Sequence, residues 1–144
     1  MPHTPKERKL TPKVSESKFI LLGEDDIDDQ ELLKELFFSI DPSFSLTFIN
    51  NGKKLVDYLN SLPNDLLPWL IILDYNMPEL DGAGILKELR NSTRYAGIPK
   101  IIWSTSQTES YRRRCLELGA DDYIIKPSKV SDLVDAIKYM LSIC

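Results

Sequence analysis

The sequence predicts an α/β fold in which a doubly wound, five-stranded parallel sheet is flanked by five helices. Three observations predict it. From Lys18 onward, apolar runs of strand length alternate with longer stretches at helical spacing, a succession that argues for βαβ units. The short runs, Phe19–Leu22 and Trp69–Leu73 above all, are continuously apolar, as expected of parallel strands covered on both faces. A chain of 144 residues with 42% hydrophobic and 28% charged residues suits one domain with a substantial core. Right-handed crossovers in so short a chain leave helices on both faces of an open sheet. The strand order 2-1-3-4-5 is expected by analogy with known sheets of this kind, since the residues alone fix no order.

The elements follow in order. Phe19–Leu22 forms the first strand, and Leu33, Leu36, Phe37 and Ile40 then recur at i, i+3, i+4 and i+7 as the buried stripe of helix one. Asp28 with Glu31 has capping-box spacing at its start, and Asp41-Pro42 blocks its continuation. Ser45–Ile49 reads as strand two, followed by Asn51-Gly52 and a helix carrying Leu55, Val56, Leu59 and Leu62. The proline-containing loop Leu62–Pro68 ends that helix. Trp69–Leu73 is strand three, leading through Asp74, Pro78 and Gly82 to a helix marked by Ile85, Leu86 and Leu89.

Lys100–Trp103 is strand four. A polar turn follows, in which one of Ser104–Ser106 is expected to cap helix four. That helix carries Tyr111, Cys115 and Leu118 on one face and stops at Gly119. Tyr123–Ile125 is strand five, and Lys126-Pro127 turns the chain into a last helix with Val130, Leu133, Val134, Ile137 and Leu141 inward. Residues 1–17 hold three prolines, charges of both signs and little that is apolar, so they read as a disordered tail before a folded domain at 18–144.

Composition excludes several function classes. Eighteen Lys and Arg against twenty-two Asp and Glu give a net charge of -4, without the basic excess that direct nucleic-acid binding needs. No apolar run approaches a membrane span or a signal-peptide core, so no membrane association and a cytoplasmic location are expected. The single histidine, His3, falls in the tail, which removes histidine-based hydrolysis and histidine metal clusters from the folded part. Two cysteines, Cys115 and Cys144, make no disulfide framework and read as a packing residue and a terminal thiol.

Open sheets of this type place their sites at the carboxyl ends of the strands. Glu24, Asp25 and Asp26 follow strand one, Asp74 follows strand three, Ser104, Thr105 and Ser106 follow strand four, and Lys126 follows strand five. Each has an ordinary reading when taken singly: helix-start acids, turn residues, helix caps, a surface lysine, and for Tyr123 a strand aromatic. Their joint position on one edge argues otherwise. At an effective dielectric near 20, two carboxylates about 5 Å apart repel by roughly 3 kcal/mol, so Glu24, Asp25 and Asp74 together would cost on the order of 10 kcal/mol. Protonation relieves that cost, or Lys126 and a cation do. Oxygen ligands without His or Cys favour a hard ion, and Mg²⁺ is the cofactor expected. A carboxylate beside Mg²⁺ is a competent nucleophile toward phosphorus, with metal and lysine taking up the charge that develops. A Ser104 hydroxyl that donates to the phosphoryl group would couple that chemistry to a mobile loop.

GEDD after strand one, LDYNMPELDG around Asp74, WSTS after strand four and DYIIKP after strand five together resemble the receiver domain of two-component response regulators, which has the flavodoxin-like fold. The resemblance covers residues 18–144. It implies that Asp74 is the phosphoacceptor, that Asp25, Asp74 and the Asn76 carbonyl hold Mg²⁺ with help from Glu24 through a water, and that Lys126 contacts the phosphoryl group. It implies further that Ser104 and Tyr123 are the switch hydroxyl and switch aromatic, and that Pro127 follows a cis bond. The partners implied are a sensor histidine kinase or phosphotransfer protein as donor, and a downstream protein target or a second copy as reader. The usual surface for that reader is helix four, strand five and helix five, where Arg112, Arg113 and Arg114 otherwise read as a solvated face. Glu24 stands where Asp is commoner, Ser104 where Thr is commoner, and Thr105 is larger than the usual Ala, which would narrow access to the phosphate. The loops Leu62–Pro68 and Asn91–Pro99 are similar to those of single-domain regulators associated with phytochrome-type kinases.

The leading expectation is therefore a stand-alone receiver with no output domain, not an enzyme acting on other molecules. A magnesium phosphohydrolase of the haloacid-dehalogenase kind would need an acid two residues after its nucleophile, where Asn76 stands. A flavin carrier would need a phosphate cradle where Gly23–Asp28 is acidic. A degenerate receiver serving only as an interaction module would lack site residues that are present here.

Overall fold

The computed structural model describes residues 18–144; the tail expected over 1–17 lies outside them. Five strands, β1 (Lys18–Gly23), β2 (Phe44–Ile49), β3 (Leu70–Asp74), β4 (Lys100–Ser104) and β5 (Asp122–Ile125), alternate with five helices. The helices are α1 (Ile27–Ile40), α2 (Gly52–Ser61), α3 (Gly82–Leu89), α4 (Glu109–Glu117) and α5 (Val130–Ile143), and 3₁₀ turns at Asn64–Leu66 and Thr93–Tyr95 occupy the two longer loops. All strands pair in parallel in the order β2-β1-β3-β4-β5. Among the described residues no helix is long and apolar enough to cross a membrane.

The continuous apolar runs are used on both faces, because successive strand side chains point to opposite sides. Leu21, Ile71, Leu73 and Ile102 meet Leu55, Leu59, Ile85, Leu86 and Cys115 under α2, α3 and α4. Ile20, Leu22, Leu70, Ile72, Ile101 and Trp103 meet Leu33, Phe37, Leu133, Ile137 and Met140 under α1 and α5. On α5, Met140 is buried where Leu141 was expected to lead, and Val130 is 54% exposed, because the apolar stripe reaches the sheet only from Leu133 onward. Tyr111 does not join the core face of α4; it is exposed and stacks on Tyr75 at 4.8 Å between ring centroids.

Several caps differ from expectation. Asp26, in extended backbone, is the N-cap of α1 and accepts from Asp29 N, while Glu31 pairs with Lys34 and closes no capping box with Asp28. Helix α4 begins at Glu109 behind Thr108, so Ser104–Ser106 do not cap it. Gly119 ends the last turn of that helix at φ +109°, a backbone region that glycine adopts without strain. The two longer loops are clasped by Arg94, which donates to Asn64 Oδ1 (2.7 Å), Leu59 O (3.2 Å), Tyr95 Oη (2.9 Å) and Leu62 O. Tyr95 in turn donates to Asn60 Oδ1 at 2.7 Å.

Candidate functional site

Register brings the strand ends level. Gly23 is opposite Leu73, Asp74 is opposite Trp103, and Ser104 is opposite Ile125, so the residues just beyond the strands share one edge. Glu24 is buried, Asp74 nearly so, and Asp25 is exposed. One carboxylate oxygen from each lies within 4.8 Å of the other two. Lys126 Nζ donates to Asp74 Oδ2 at 2.8 Å and to Glu24 Oε1 at 3.2 Å. The remaining oxygens are partly occupied: Asn76 N donates to Asp74 Oδ1 (3.0 Å) and Asp26 N to Glu24 Oε2 (3.2 Å).

Burial pushes the Glu24 carboxyl above its ordinary value; the Lys126 charge and the Asp26 amide pull it down without cancelling that, and the neighbouring Asp74 raises it further. Burial draws Lys126 downward, yet the hydrogen bond and charge of Asp74, joined by Glu24, outweigh it and leave the ammonium raised. One lysine therefore stands against a three-carboxylate cluster. The donor set is oxygen only, which is the chemistry of a hard divalent cation. The residues present fit such an ion.

The loops around this edge are tied to it. Gly52 N donates to Pro78 O at 3.0 Å, and a Cβ on Gly52 would sit 1.8 Å from Leu80 O; no side chain could be carried where α2 abuts the loop after Asp74. In that loop Glu79 adopts φ +70°, a region costing a non-glycine residue about 1 kcal/mol. On the other side, Ser104 is fully buried and its Oγ accepts from Ser106 N at 3.0 Å. Tyr123, 6% exposed, donates from Oη to Ser106 O at 2.9 Å. Ser104 and Tyr123 thus converge on Ser106, and the Lys126 amide closes onto Ser104 O at 2.8 Å.

The expected residues Glu24, Asp25, Asp74 and Lys126 are brought together directly. Asn76 reaches the cluster through its amide, with its side chain exposed. Two features depart from the sequence-based expectations. Among the described residues there is no cis peptide bond, so Lys126-Pro127 is trans, the isomer favoured by about 0.5–1 kcal/mol at X-Pro bonds. Asp29, which belongs to none of the four motifs, places Oδ2 3.9 Å from Lys126 Nζ; it stands in the first turn of α1, three residues past the N-cap Asp26, and no motif or spacing in the sequence marks it.

Comparison with known proteins agrees with this geometry. Residues 20–138 match the model of the response regulator receiver domain. The two-component response regulator ORR5 of Oryza sativa subsp. japonica is 35% identical over 109 residues, spanning 74% of this chain and 79% of that protein. ARR8 of Arabidopsis thaliana is 30% identical over 143 residues, 88% of this chain and 63% of that protein. Among solved structures, the phosphorylated cyanobacterial phytochrome response regulator RcpA superposes with a TM-score of 0.79 at 28% identity, over 89% of this chain and 96% of that one. The Mn(2+)-bound form of response regulator Rcp1 superposes with a TM-score of 0.77 at 28% identity, over 87% and 92% of the two chains. The chain belongs to the response regulator receiver domain family, whose members are phosphorelay signalling modules and not enzymes acting on an outside substrate.

Proposed function

We propose that this chain is a stand-alone phosphoacceptor switch in which Asp74 takes a phosphoryl group from a histidine kinase or phosphotransfer protein in a Mg²⁺-dependent reaction. The observation that carries the reading is the cluster of Glu24, Asp25 and Asp74 oxygens within 4.8 Å, with Lys126 bonded to two of the three residues. Asp25, Asp74 and the Asn76 carbonyl would hold the ion, with Glu24 supporting it. Bound there, the cation would offset the negative charge of the carboxylates and of the incoming phosphoryl group.

In the transfer, an Asp74 carboxylate oxygen forms the new bond to phosphorus as the bond from phosphorus to the donor nitrogen breaks. The electron pair leaves with that nitrogen, and the product is an aspartyl phosphate. Lys126 stays beside the acceptor, offering N–H donors to the phosphoryl oxygens. The Ser104 hydroxyl is one peptide beyond Trp103, the register partner of Asp74, and would exchange its bond with Ser106 N for one to the phosphoryl group. Because Tyr123 is bonded to the same Ser106, that exchange would be felt on the surface of α4, β5 and α5. Tyr111, Ile125 and Tyr139 are exposed there, as a contact for a protein target or a second copy. The likeness to RcpA, a cyanobacterial phytochrome response regulator, supports phytochrome-type kinases as the donors to try first. The same reading puts the protein in the cytoplasm.

Beryllofluoride or acetyl phosphate with Mg²⁺ is expected to change Trp103 fluorescence, and Asp74→Asn to abolish the change. A full response in that variant would remove Asp74 as the acceptor.

A further inference from the structure

We infer that Trp103 is a positioning residue for the reaction at Asp74: its indole face holds the Lys126 ammonium at the acceptor edge. The inference rests on the phosphoacceptor reading above and extends it to a side chain that the reading leaves in the core.

Register puts Trp103 between the two partners. It is opposite Asp74 on β3 and opposite Ile124 on β5, and Lys126 lies two residues beyond Ile124, on the same side of the pleat. Lys126 Nζ stands 5.2 Å from the centroid of the Trp103 ring, within the range at which an aromatic face attracts a cation, and indole is the strongest of the natural faces. Trp103 is 3% exposed, and the Lys126 side chain is 15% exposed, so water screens the contact weakly. The Trp103 Nε1–H has no hydrogen-bond partner among the described residues. What the ring supplies here is therefore its face and its volume.

A lysine at this place has competing anchors. Asp74 and Glu24 draw the ammonium into the cluster, while Asp29, on a side chain 47% exposed, lies 3.9 Å away toward solvent. A phosphoryl group on Asp74 changes the pattern of charge and oxygens around the ammonium, and a four-carbon stem is free to follow any of them. The ring attracts the ammonium whatever the state of Asp74, and it consumes none of the three N–H donors. All three stay available for carboxylate and phosphoryl oxygens.

The test compares wild type with Trp103→Phe and Trp103→Leu. Fluoroberyllate binding in the presence of Mg²⁺ is followed by ¹⁹F NMR, and Mg²⁺ affinity is measured separately without fluoride. Trp103→Leu is expected to weaken fluoroberyllate binding about tenfold, and Trp103→Phe, which keeps a weaker face, to stay within about threefold of wild type. Mg²⁺ affinity should not fall in either variant. In wild type the Lys126 ε-methylene protons should be shifted upfield by the ring current, and that shift should vanish in the leucine variant. Equal fluoroberyllate affinity in wild type and Trp103→Leu overturns the inference, and so does a parallel loss of Mg²⁺ affinity, which would mark a general disturbance of the pocket. Should the leucine variant not fold, unshifted ε protons in wild type overturn it alone. Failure of the wild type itself to bind fluoroberyllate would instead strike the phosphoacceptor reading.

Discussion

The Lys126 ammonium donates to Asp74 Oδ2 across 2.8 Å, joining residues 52 apart in sequence, and it is the cation nearest a cluster of three carboxylates. Breaking a pair of this kind from one side leaves buried charge without a partner. Lys126→Ala is therefore expected to lower stability by about 3 kcal/mol at neutral pH in chelator. The loss should shrink in acid, as the raised Glu24 carboxyl takes up a proton. Urea denaturation at pH 7 and pH 5 measures both effects, and a variant as stable as wild type in chelator would show that the lysine does not offset these charges.

The same crowding makes a divalent cation a stabiliser. A ligand that binds only the folded state adds about 2.7 kcal/mol at a hundred times its Kd. Mg²⁺ should raise the unfolding midpoint of wild type in that proportion, and Asp25→Asn should lose most of the gain, since Asp25 supplies one of the three clustered oxygens. An equal gain in the variant would place the ion elsewhere.

Arg94 is expected to act far from this edge, on stability alone. Its guanidinium bridges Asn64 Oδ1 and the carbonyls of Leu59 and Leu62, linking the loop after α2 to the loop after α3. Arg94→Ala removes charge-assisted bonds to partly buried acceptors and should cost about 2 kcal/mol in urea denaturation, with fluoroberyllate affinity retained. An unchanged denaturation midpoint would show that the clasp contributes nothing net.

At the α5 surface the Tyr139 hydroxyl donates to Asp122 Oδ2, and this bond, with burial and the Asp122 charge, pushes the phenol from 10.0 to about 12. The folded state then holds that proton more tightly than the unfolded state. The stabilisation is complete below pH 10 and lost as pH rises toward 12. The stability gap between wild type and Tyr139→Phe should accordingly narrow from pH 9 to pH 11; a constant gap would mean that the bond does not survive in solution.

The elements were legible because their causes are local. Short apolar-rich segments bounded by turns, continuous at Phe19–Leu22 and Trp69–Leu73, yielded all five strands to within a residue or two, and Leu33 with Phe37, or Leu133 with Ile137, marked the helix faces. The errors were also local in origin. Several Asp, Ser and Thr residues compete for each helix start, and only the extended backbone at Asp26 and Thr108 decided where it falls; Asp26 caps with its side chain and Thr108 does not. Tyr111 carried the right spacing for the core, yet its partner is Tyr75, which no periodicity could indicate.

By itself the sequence determined that acids, a hydroxyl and a lysine would follow successive strands, because composition and alternation of elements are written along the chain. Only the tertiary structure decided which of those groups touch. The level register of β1, β3, β4 and β5 brings Glu24, Asp25, Asp74 and Lys126 onto one edge. It also seats Lys126 over Trp103 and within reach of Asp29. Distances between residues 52 and 102 positions apart are set by strand pairing and by packing on both faces of the sheet, and neither is a property of any single segment.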